Sequence, residues 1–333
     1  MDDLTLVTGA DGFIGSHLVE HLVRRGSRVR AFVMYNALGS HGWLDHIAPD
    51  VHAEIEVIAG DVRDAERVSH AVEGCAAVLH LAALIGIPYS YVAPRSYLDT
   101  NVVGTLHVLE AARRWNVRRF VQTSTSEVYG TARTVPITED HPLSAQSPYA
   151  ASKIAADQLA LSYHAAYGMP VTVLRPFNTY GPRQSARAVI PTIITQLGDH
   201  GAVRLGNTAP TRDFTYVEDT AAAFAAALDA DDEVLGQVVN VGSDFEISVA
   251  EVVRVIADQL GVPVRIESDP QRVRPADSEV DRLWADTARA RKLLAWSPAH
   301  GGIDGFALGI AQTVAWFAEP ANRAVYHPGR YEL

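Results

Sequence analysis

The chain has 333 residues, of which 48% are hydrophobic and 20% charged, and its formal net charge is −11. This balance is that of a globular protein with a sizeable core, and the negative charge argues against nucleic acid or an anionic membrane as the main partner. Cys75 is the only cysteine, which excludes an intrachain disulfide and a cysteine-based metal site. No apolar run reaches the roughly 18 residues of a membrane span, and the acidic start Met1-Asp2-Asp3 shows no signal peptide, so we expect a cytoplasmic protein.

A glycine-rich turn follows the first apolar run of the chain. The run is Leu4–Thr8, and the glycines are Gly9, Gly12 and Gly15, after which a helical pattern begins. A strand, a glycine turn and a helix in succession are the context of a dinucleotide-binding fingerprint. The glycines let the backbone approach a pyrophosphate, which lies at the helix N-terminus. We therefore predict a nucleotide cofactor at this turn.

Further apolar runs recur along the chain, separated by helical patterns. The predicted strands lie at residues 4–8, 29–33, 55–59, 77–81, 120–123, 171–174 and 238–241. Alternating strands and helices predict an α/β fold, a Rossmann doubly wound parallel sheet with a smaller interleaved C-terminal region. We expect residues 1–177 to form the dinucleotide-binding domain with the catalytic Tyr and Lys. Residues 178–333 would mainly bind substrate, with about residues 213–245 returning to the sheet.

A second motif joins a polar cluster to the helix that follows it. The cluster is Thr125-Ser126-Glu127, and the later helix carries Tyr149 and Lys153, four residues apart and so on one face. A cation beside a phenol stabilises the phenolate and lowers the pKa of the tyrosine, as does the helix N-terminus. Such a tyrosine removes a proton from an alcohol near neutral pH. Alcohol oxidation also needs a hydride acceptor, which the glycine turn would hold.

Together these motifs resemble an extended short-chain dehydrogenase/reductase. More narrowly, they resemble the NAD-dependent nucleotide-sugar epimerases and dehydratases, whose substrate-region signatures match from Arg175 to Arg183 and from Arg212 to Asp219. The resemblance extends to about Trp296. Residues 183–191 and 206–219 are most similar to the bacterial N-acetylhexosamine 4,6-dehydratases of the nonulosonic-acid type.

The resemblance implies a nucleotide-sugar 4,6-dehydratase acting on a UDP- or GDP-linked hexose or N-acetylhexosamine. The enzyme would oxidise carbon 4, eliminate water across carbons 5 and 6, and return the hydride to carbon 6. The catalytic residues of the family correspond here to Thr125, Ser126, Glu127, Tyr149 and Lys153. Many glucose 4,6-dehydratases have Asp-Glu at the positions of Ser126 and Glu127. GDP-mannose 4,6-dehydratases are similar to this chain in having Ser-Glu there. Decarboxylases of UDP-glucuronate also carry Thr-Ser-Glu, so decarboxylation and 4-epimerisation stay open, as does a non-catalytic NAD-binding regulator.

The resemblance also implies which residues bind the ligands. Cofactor contacts are expected from Gly9, Gly12, Phe13, Ile14, Gly15, Asn36, Asp61, Val62, Leu81, Ala82, Ala83, Asn101, Thr123, Tyr149 and Lys153. Substrate contacts are expected from Tyr89, Ser90, Asn178, Val189, Arg212 and Arg274, with Arg183 and Arg187 as further diphosphate candidates.

Three further expectations concern the cofactor, metals and assembly. The second strand ends in Met34-Tyr35-Asn36 without the acid that usually binds the NAD ribose, and no Arg follows for a 2′-phosphate. We expect NAD, with NADP open. The segment from His17 to His21 fits an inverted zinc-peptidase motif but lacks a third ligand, so no metal is expected. A homodimer is expected through a four-helix contact formed by the helices over residues 97–115 and 149–167.

Overall fold

The computed structural model describes residues 3–273 and 275–326. Its strands are β1 (Leu4–Thr8), β2 (Arg28–Met34), β3 (Ile55–Gly60), β4 (Ala77–His80), β5 (Arg119–Thr123), β6 (Val171–Pro176), β7 (Asn178–Tyr180), β8 (Val203–Leu205), β9 (Thr211–Arg212), β10 (Phe214–Tyr216), β11 (Val238–Val241), β12 (Ile247–Ser248) and β13 (Ile266–Ser268). Seven of them form one parallel sheet in the order β11-β6-β5-β4-β1-β2-β3. The order reverses between β1 and β4, and ligands of such sheets bind at the carboxyl ends of the strands there.

Helices cover both faces of this sheet and build the C-terminal region. They are α1 (Phe13–Arg24), α2 (Pro49–Ala53), α3 (Ala65–Val72), α4 (Ile87–Val92), α5 (Pro94–Tyr97), α6 (Gly104–Arg114), α7 (Pro148–Tyr167), α8 (Val189–His200), α9 (Val217–Asp229), α10 (Val249–Leu260), α11 (Ala288–Leu294), α12 (Gly302–Ala318) and α13 (Pro320–Arg323). The π-helical segment Leu98–Val103 joins α5 to α6, and single 3₁₀ turns occur at Gly42–His46, Ser126–Tyr129, Asp232–Val234, Pro270–Arg272 and Ala276–Ser278.

The sheet has apolar side chains on both faces because helices cover both. Neighbouring residues of a strand point to opposite faces, and Leu6 and Val7 of β1 accordingly belong to two different core clusters. The Val7 cluster packs against α1 and α9, and the Leu6 cluster packs against α3 and α6. This arrangement confirms the predicted α/β doubly wound fold, and it explains the continuous apolar runs of the strands.

The C-terminal region has a core of its own. Residues of α8, α10 and α12 pack together with β7 and β10 around Phe306. Strand β11 leaves this region and pairs with β6 at the edge of the large sheet. The region is therefore interleaved with the sheet, and β6 of the large sheet leads almost directly into β7, which pairs with β10 in the C-terminal region.

One helix prediction needs correction, and a further short helix, α4, lies within residues 84–94. The helix expected over residues 97–115 is interrupted by the π-helical turn, a feature frequent at functional sites. On the two helices expected to form the dimer contact, Leu109 and Tyr163 are buried within the chain, whereas Leu106 and Leu159 are only partly buried. Within the described residues, no helix has the length and apolar character needed to cross a membrane.

The variant Gly15→Ala is expected to destabilise the protein strongly. A Cβ at this position would lie 2.1 Å from the Gly9 carbonyl oxygen and 2.9 Å from the Ala10 Cα, both rigid backbone atoms. Overpacking of this kind costs about 1–3 kcal/mol or more. Gly198→Ala in α8 is the control, because nothing lies within 4 Å of its added Cβ, and it should be neutral or mildly stabilising. Urea unfolding of the two variants compares them, and equal stability would contradict the packing of the glycine turn.

Candidate active site

The glycine turn between β1 and α1 forms a cradle without side chains. Gly9 has a φ of +67°, and a Cβ there would lie 2.9 Å from the Ala82 backbone. The Gly12 amide donates to the Gly9 carbonyl over 3.1 Å, which tightens the turn at the start of α1. Thr8 Oγ1 accepts hydrogen bonds from the Leu81 and Ala82 amides, both at 3.1 Å. The predicted residues Gly9, Gly12, Gly15, Leu81 and Ala82 are therefore brought together, with Phe13 and Ile14 opening α1 and Ala83 continuing the second segment.

An acidic side chain from another part of the chain lies at the carboxyl end of β2. Asp11, from the glycine turn, accepts a hydrogen bond from the Met34 amide over 3.1 Å, and burial raises the pKa of its carboxyl. Asn36 instead folds its own loop: its Nδ2 donates to the Ser40 carbonyl over 2.7 Å and its Oδ1 accepts from the Leu38 amide over 3.0 Å. Sequence inspection missed Asp11 because the carboxylate comes from a different strand–helix connection.

Asp61 and Val62, two of the predicted cofactor contacts, directly follow the end of β3. Asp61 holds the Arg63 side chain, with Nε 3.0 Å from both carboxylate oxygens, and this hydrogen bonding lowers the pKa of Asp61. Val62 packs on the Gly104 backbone of α6, where an added Cβ would lie 2.9 Å from its Cγ2. The Val62 carbonyl also bonds the ring of His107 at 3.1 Å. Both predicted residues therefore occupy the same edge of the sheet as the glycine turn.

Tyr149 and Lys153 lie buried on the first turns of α7. The helix begins as predicted, with the Ser147 hydroxyl accepting from the Ala150 amide over 3.1 Å and Pro148 at its first position. Lys153 Nζ donates to the Thr123 carbonyl over 2.6 Å. The Thr123 hydroxyl is buried without a hydrogen-bond partner in the described structure. This orphaned hydroxyl and the close-packed glycine turn are features that suit a bound dinucleotide.

The predicted lowering of the Tyr149 pKa is wrong for the protein alone. Burial raises the pKa of Tyr149, and the opposing hydrogen bond from Thr125 only reduces the effect. Lys153 does not offset the burial, because its ammonium is directed at the Thr123 carbonyl and burial lowers its own pKa to about 8. Sequence spacing places two residues on one helix face but does not show where a flexible ammonium points or how deeply a phenol is buried.

Ser126 and Glu127 follow β5 on a 3₁₀ turn beside Tyr149. The turn begins at Thr125, whose hydroxyl accepts from the Glu127 amide over 3.3 Å. Both side chains are buried, and among the described residues none donates a hydrogen bond to the Glu127 carboxylate. A carboxylate held near Tyr149 without such donors is suited to proton transfer.

Two residues expected to contact ligands are used inside the fold. Asn101, on the π-helical turn, bonds the Leu84 amide and carbonyl at 2.8 and 2.9 Å and the Ser152 hydroxyl at 2.9 Å. Ser90 is buried and donates to the Ile87 carbonyl over 2.6 Å. We therefore assign Asn101 to holding the segment before α4 against α7, and Ser90 to a hydrogen bond within α4. Tyr89 remains more exposed.

Tyr97 links this segment to the catalytic tyrosine. Its ring meets Tyr149 edge to face with centroids 6.3 Å apart, and its hydroxyl donates to the Gly86 carbonyl. Burial raises the pKa of Tyr97 to about 12, so it stays protonated. Sequence inspection missed this residue, because nothing in its spacing points to the later helix.

Three of the predicted substrate residues lie on elements that follow β6, namely β7, α8 and β9. Arg212 is buried on β9, where Nη1 donates to the Thr211 carbonyl over 2.9 Å and Nη2 lies 3.5 Å from Glu279. Asn178 begins β7, and its Oδ1 is buried with no hydrogen-bond partner in the described structure. Val189 is the first residue of α8 and packs on the C-terminal core. Arg274 lies outside the described residues.

Arg183 is a structural residue, which corrects its candidacy for a diphosphate contact. Its Nη2 lies 2.5 Å from Glu20 and its Nη1 donates to Ser16 over 3.2 Å, so it ties the loop after β7 to α1. The ion pair of Arg183 with Glu20 also gives a structural role to the segment from His17 to His21, which fits a zinc-peptidase motif. Glu20 is held by Arg183, and His17 bonds the Pro182 carbonyl at 3.0 Å. Burial lowers the pKa of His17 to about 3.

Removing Arg183 is expected to cost much more stability than removing an exposed ion-pair partner. Arg183→Ala leaves the buried Glu20 without its main cation, for which a loss of about 3–5 kcal/mol is typical. Arg95→Ala is the control, because Arg95 is 84% exposed in its pair with Asp99 and such pairs contribute about 0–1 kcal/mol. Urea unfolding measures both losses. A small loss for Arg183→Ala would contradict the structural assignment.

One histidine cluster was not anticipated from the sequence. His41, Asp45 and His52 bring ligand atoms within 4.8 Å of one another, although none of the three is buried. Asp45 already accepts hydrogen bonds from Ser40 Oγ and the His41 amide, both at 2.9 Å. The spacing of residues 41 and 45 was a signal for this proximity, whereas His52 comes from the next helix.

Comparison with known proteins identifies the class. The GDP-mannose 4,6 dehydratase family model matches residues 6–306. A dTDP-glucose 4,6-dehydratase of Actinoplanes sp. is 35% identical over 325 residues, 96% of this chain and 98% of the relative. A UDP-glucose 4-epimerase of Mycolicibacterium smegmatis is 34% identical over 94% of this chain and 98% of the relative. The structure of a double mutant of DesIV, a dTDP-glucose 4,6-dehydratase from Streptomyces venezuelae with NAD bound, superposes with a TM-score of 0.84 at 31% identity, covering 96% of this chain and 98% of that one.

The chain is thus an extended short-chain dehydrogenase/reductase of the NAD-dependent nucleotide-sugar epimerase and dehydratase class. Within that class it belongs to the GDP-mannose 4,6 dehydratase family. The predicted family is confirmed, and the predicted NAD is the cofactor bound in the solved relative. The narrower likeness to N-acetylhexosamine enzymes is not part of what these similarities establish.

Proposed function

We propose that this protein is an NAD-dependent nucleotide-sugar 4,6-dehydratase. The observation that carries the proposal is the juxtaposition of two groups at one site. Tyr149 and Lys153 are buried at the start of α7. Glu127 lies on the turn after β5, close enough for its negative charge to contribute to the raised pKa of Tyr149. The first pair suits oxidation of an alcohol, and the separate carboxylate suits removal of a second proton. A non-catalytic regulator would need neither.

The residues divide the chemistry between them. Oxidised NAD, when bound, supplies the hydride acceptor and a positive charge that favours the Tyr149 phenolate. Tyr149 takes the proton of the sugar 4-hydroxyl, which Thr125 orients, while Lys153 holds the Thr123 segment. Glu127 removes the proton on carbon 5, which the carbon 4 ketone acidifies. It then delivers that proton to the 6-hydroxyl, so that the bond from carbon 6 to oxygen breaks and water leaves.

The proposed donor is a UDP- or GDP-linked hexose or N-acetylhexosamine. Ser126 in place of the aspartate of many glucose 4,6-dehydratases supports a donor other than dTDP-glucose, although several relatives act on dTDP-glucose by name. A decarboxylase should have a cation near the substrate carboxylate. Arg95, the candidate for that cation, is 84% exposed and paired with Asp99, which favours dehydration over decarboxylation.

The proposed domains of the chain divide these roles between an N-terminal and a C-terminal part. Residues 1–177 would bind the cofactor and carry the catalytic groups, and residues 178–333 would mainly bind the nucleotide sugar. Arg212 and Asn178 are the proposed contacts to the diphosphate and sugar, together with Arg274. A homodimer is proposed through the outer faces of α6 and α7, where Tyr167 is exposed at the end of α7 and Val103 is exposed at the end of the π-helical segment before α6.

The proposal is tested by incubating the purified protein with NAD and a panel of UDP-, GDP-, dTDP- and CDP-sugars and following product mass. Loss of one water from a hexose or N-acetylhexosamine donor is expected and would identify the donor. Loss of carbon dioxide from a uronic acid donor, or an unchanged mass with inverted configuration at carbon 4, would contradict it. Such a result would leave only the oxidation by Tyr149 and Lys153.

A further inference from the structure

A buried carboxylate lies one helix turn beyond the catalytic lysine. Asp157 follows Lys153 by four residues on α7, so Tyr149, Lys153 and Asp157 share one helix face. The Asp157 side chain is fully buried. Its Oδ2 accepts from Ser124 Oγ over 2.6 Å and from Arg175 Nε and Nη2, both over 3.2 Å. Burial raises the pKa of the Asp157 carboxyl, and the Arg175 guanidinium, the Ser124 hydroxyl and the Lys153 ammonium oppose that rise and favour the carboxylate.

The other carboxylate oxygen of Asp157 has no role in that network. Oδ1 is buried and has no hydrogen-bond partner in the described structure. The cation of its direct ion pair is Arg175, whose Nη1 also donates to the Tyr129 hydroxyl over 2.9 Å. An acceptor left unpaired in a dry interior costs free energy, which suggests that its charge serves a purpose beyond packing.

We propose that Asp157 is a positioning residue that keeps Lys153 in its charged ammonium form through the buried space between them. The inference rests on the proposed catalytic use of Tyr149 and Lys153. A neutral lysine would hold the Thr123 carbonyl less firmly than the ammonium does.

The charged surroundings of Lys153 single out Asp157. From β4, His80 faces the lysine, but burial lowers the pKa of His80 to about 3, so it is neutral near pH 7. From β6, Arg175 adds a positive charge, and in the protein without cofactor Tyr149 on α7 is neutral because burial raises its pKa. Glu127 acts on Tyr149 from the turn after β5. Burial lowers the pKa of Lys153 to about 8, and Asp157 is the anion that opposes the decrease.

The lysine content of the chain makes a direct test simple. Lys153 and Lys292 are the only lysines in the sequence, and Lys292 is exposed on α11. Lysine labelled with ¹³C at the ε-carbon gives two signals in an NMR titration, which Lys292→Arg assigns. In Asp157→Asn, we expect the Lys153 midpoint to fall by about one pH unit or more and the Lys292 signal to be unchanged. The alkaline limb of the pH profile of kcat/KM should move to lower pH by a similar amount.

The controls separate charge from packing. Asp157→Glu keeps the carboxylate and should restore the Lys153 midpoint even if its rate is lower, and Ser124→Ala removes one hydrogen bond but leaves the charge. If Asp157→Asn fails to fold because Arg175 loses its partner, the comparison moves to the Arg175→Met background, where the double variant Asp157→Asn/Arg175→Met differs from Arg175→Met only by the carboxylate and should show the lower Lys153 midpoint of the two. An unchanged midpoint in the folded single variant, or equal midpoints for Arg175→Met and the double variant, would overturn the proposal. A shifted midpoint without a shifted activity limb would support it and would contradict the catalytic role of Lys153 instead.

Discussion

The variant Tyr149→Phe is expected to lower kcat by about 10³-fold, within the range for loss of a general acid–base group. The phenol is buried beside Thr125, and its hydroxyl is the only atom removed, so the site keeps its shape. Substrate and cofactor affinities should therefore change only a few-fold. Steady-state rates with the donor identified from the panel, together with binding measured by calorimetry, separate the two effects.

The control for that variant lies on the same helix. Tyr163→Phe also deletes one hydroxyl from α7, where it donates to Glu110 far from the cluster at the helix start. It should retain nearly full kcat. If Tyr149→Phe kept more than about a tenth of the wild-type rate, another group would be the base for the 4-hydroxyl and the proposed chemistry would need a different residue.

The variant Glu127→Gln is expected to stop elimination but to leave oxidation at carbon 4 intact. The carboxylate sits on the turn after β5 with no hydrogen-bond donor among the described residues, so Gln fits the same space without a basic oxygen. Water loss should fall by about 10²–10⁴-fold. Reduced nicotinamide should accumulate on mixing enzyme and donor, because the hydride has left carbon 4 and has no acceptor at carbon 6. Absorbance of the reduced cofactor and product mass, followed together, measure both steps.

Glu139→Gln is the matched control for loss of a buried carboxylate. Glu139 accepts from the Asn240 amide over 2.9 Å and pairs with Arg289 at 3.4 Å, in a different part of the molecule. It should lose stability without losing elimination. If Glu127→Gln abolished reduction of the cofactor as well, Glu127 would act in the first oxidation. Unimpaired water loss would remove it from the mechanism.

Sequence patterns were sufficient to predict the strands of the large sheet, the glycine turn and the start of α7. Buried parallel strands are continuous apolar runs, so β1 and β11 were predicted with the bounds the structure has, and the other central strands differed by one or two residues. The glycine turn was predictable because Gly9 and Gly15 are required by contacts within the motif itself. The Ser147 cap and Pro148 are likewise local signals.

What could not be predicted depends on contacts between distant parts of the chain. Asp11 reaches the end of β2, Arg183 reaches Glu20 on α1, and Asp157 pairs with Arg175 on β6. No periodicity in the sequence reports which polar side chains meet across the fold or how deeply each is buried. The predicted direction of the Tyr149 pKa shift was wrong for this reason, since helix spacing carries no information about desolvation.

The measurement that tests the dehydratase most directly follows one deuterium. A donor labelled at carbon 4 is converted by the enzyme with unlabelled NAD, and the product is analysed by NMR and mass. The proposed mechanism predicts that the label appears on carbon 6 of the 4-keto-6-deoxy product, with loss of water. Return of the label to carbon 4, with either an inverted centre or loss of carbon dioxide, would show an epimerase or a decarboxylase and would contradict the role of Glu127 in elimination.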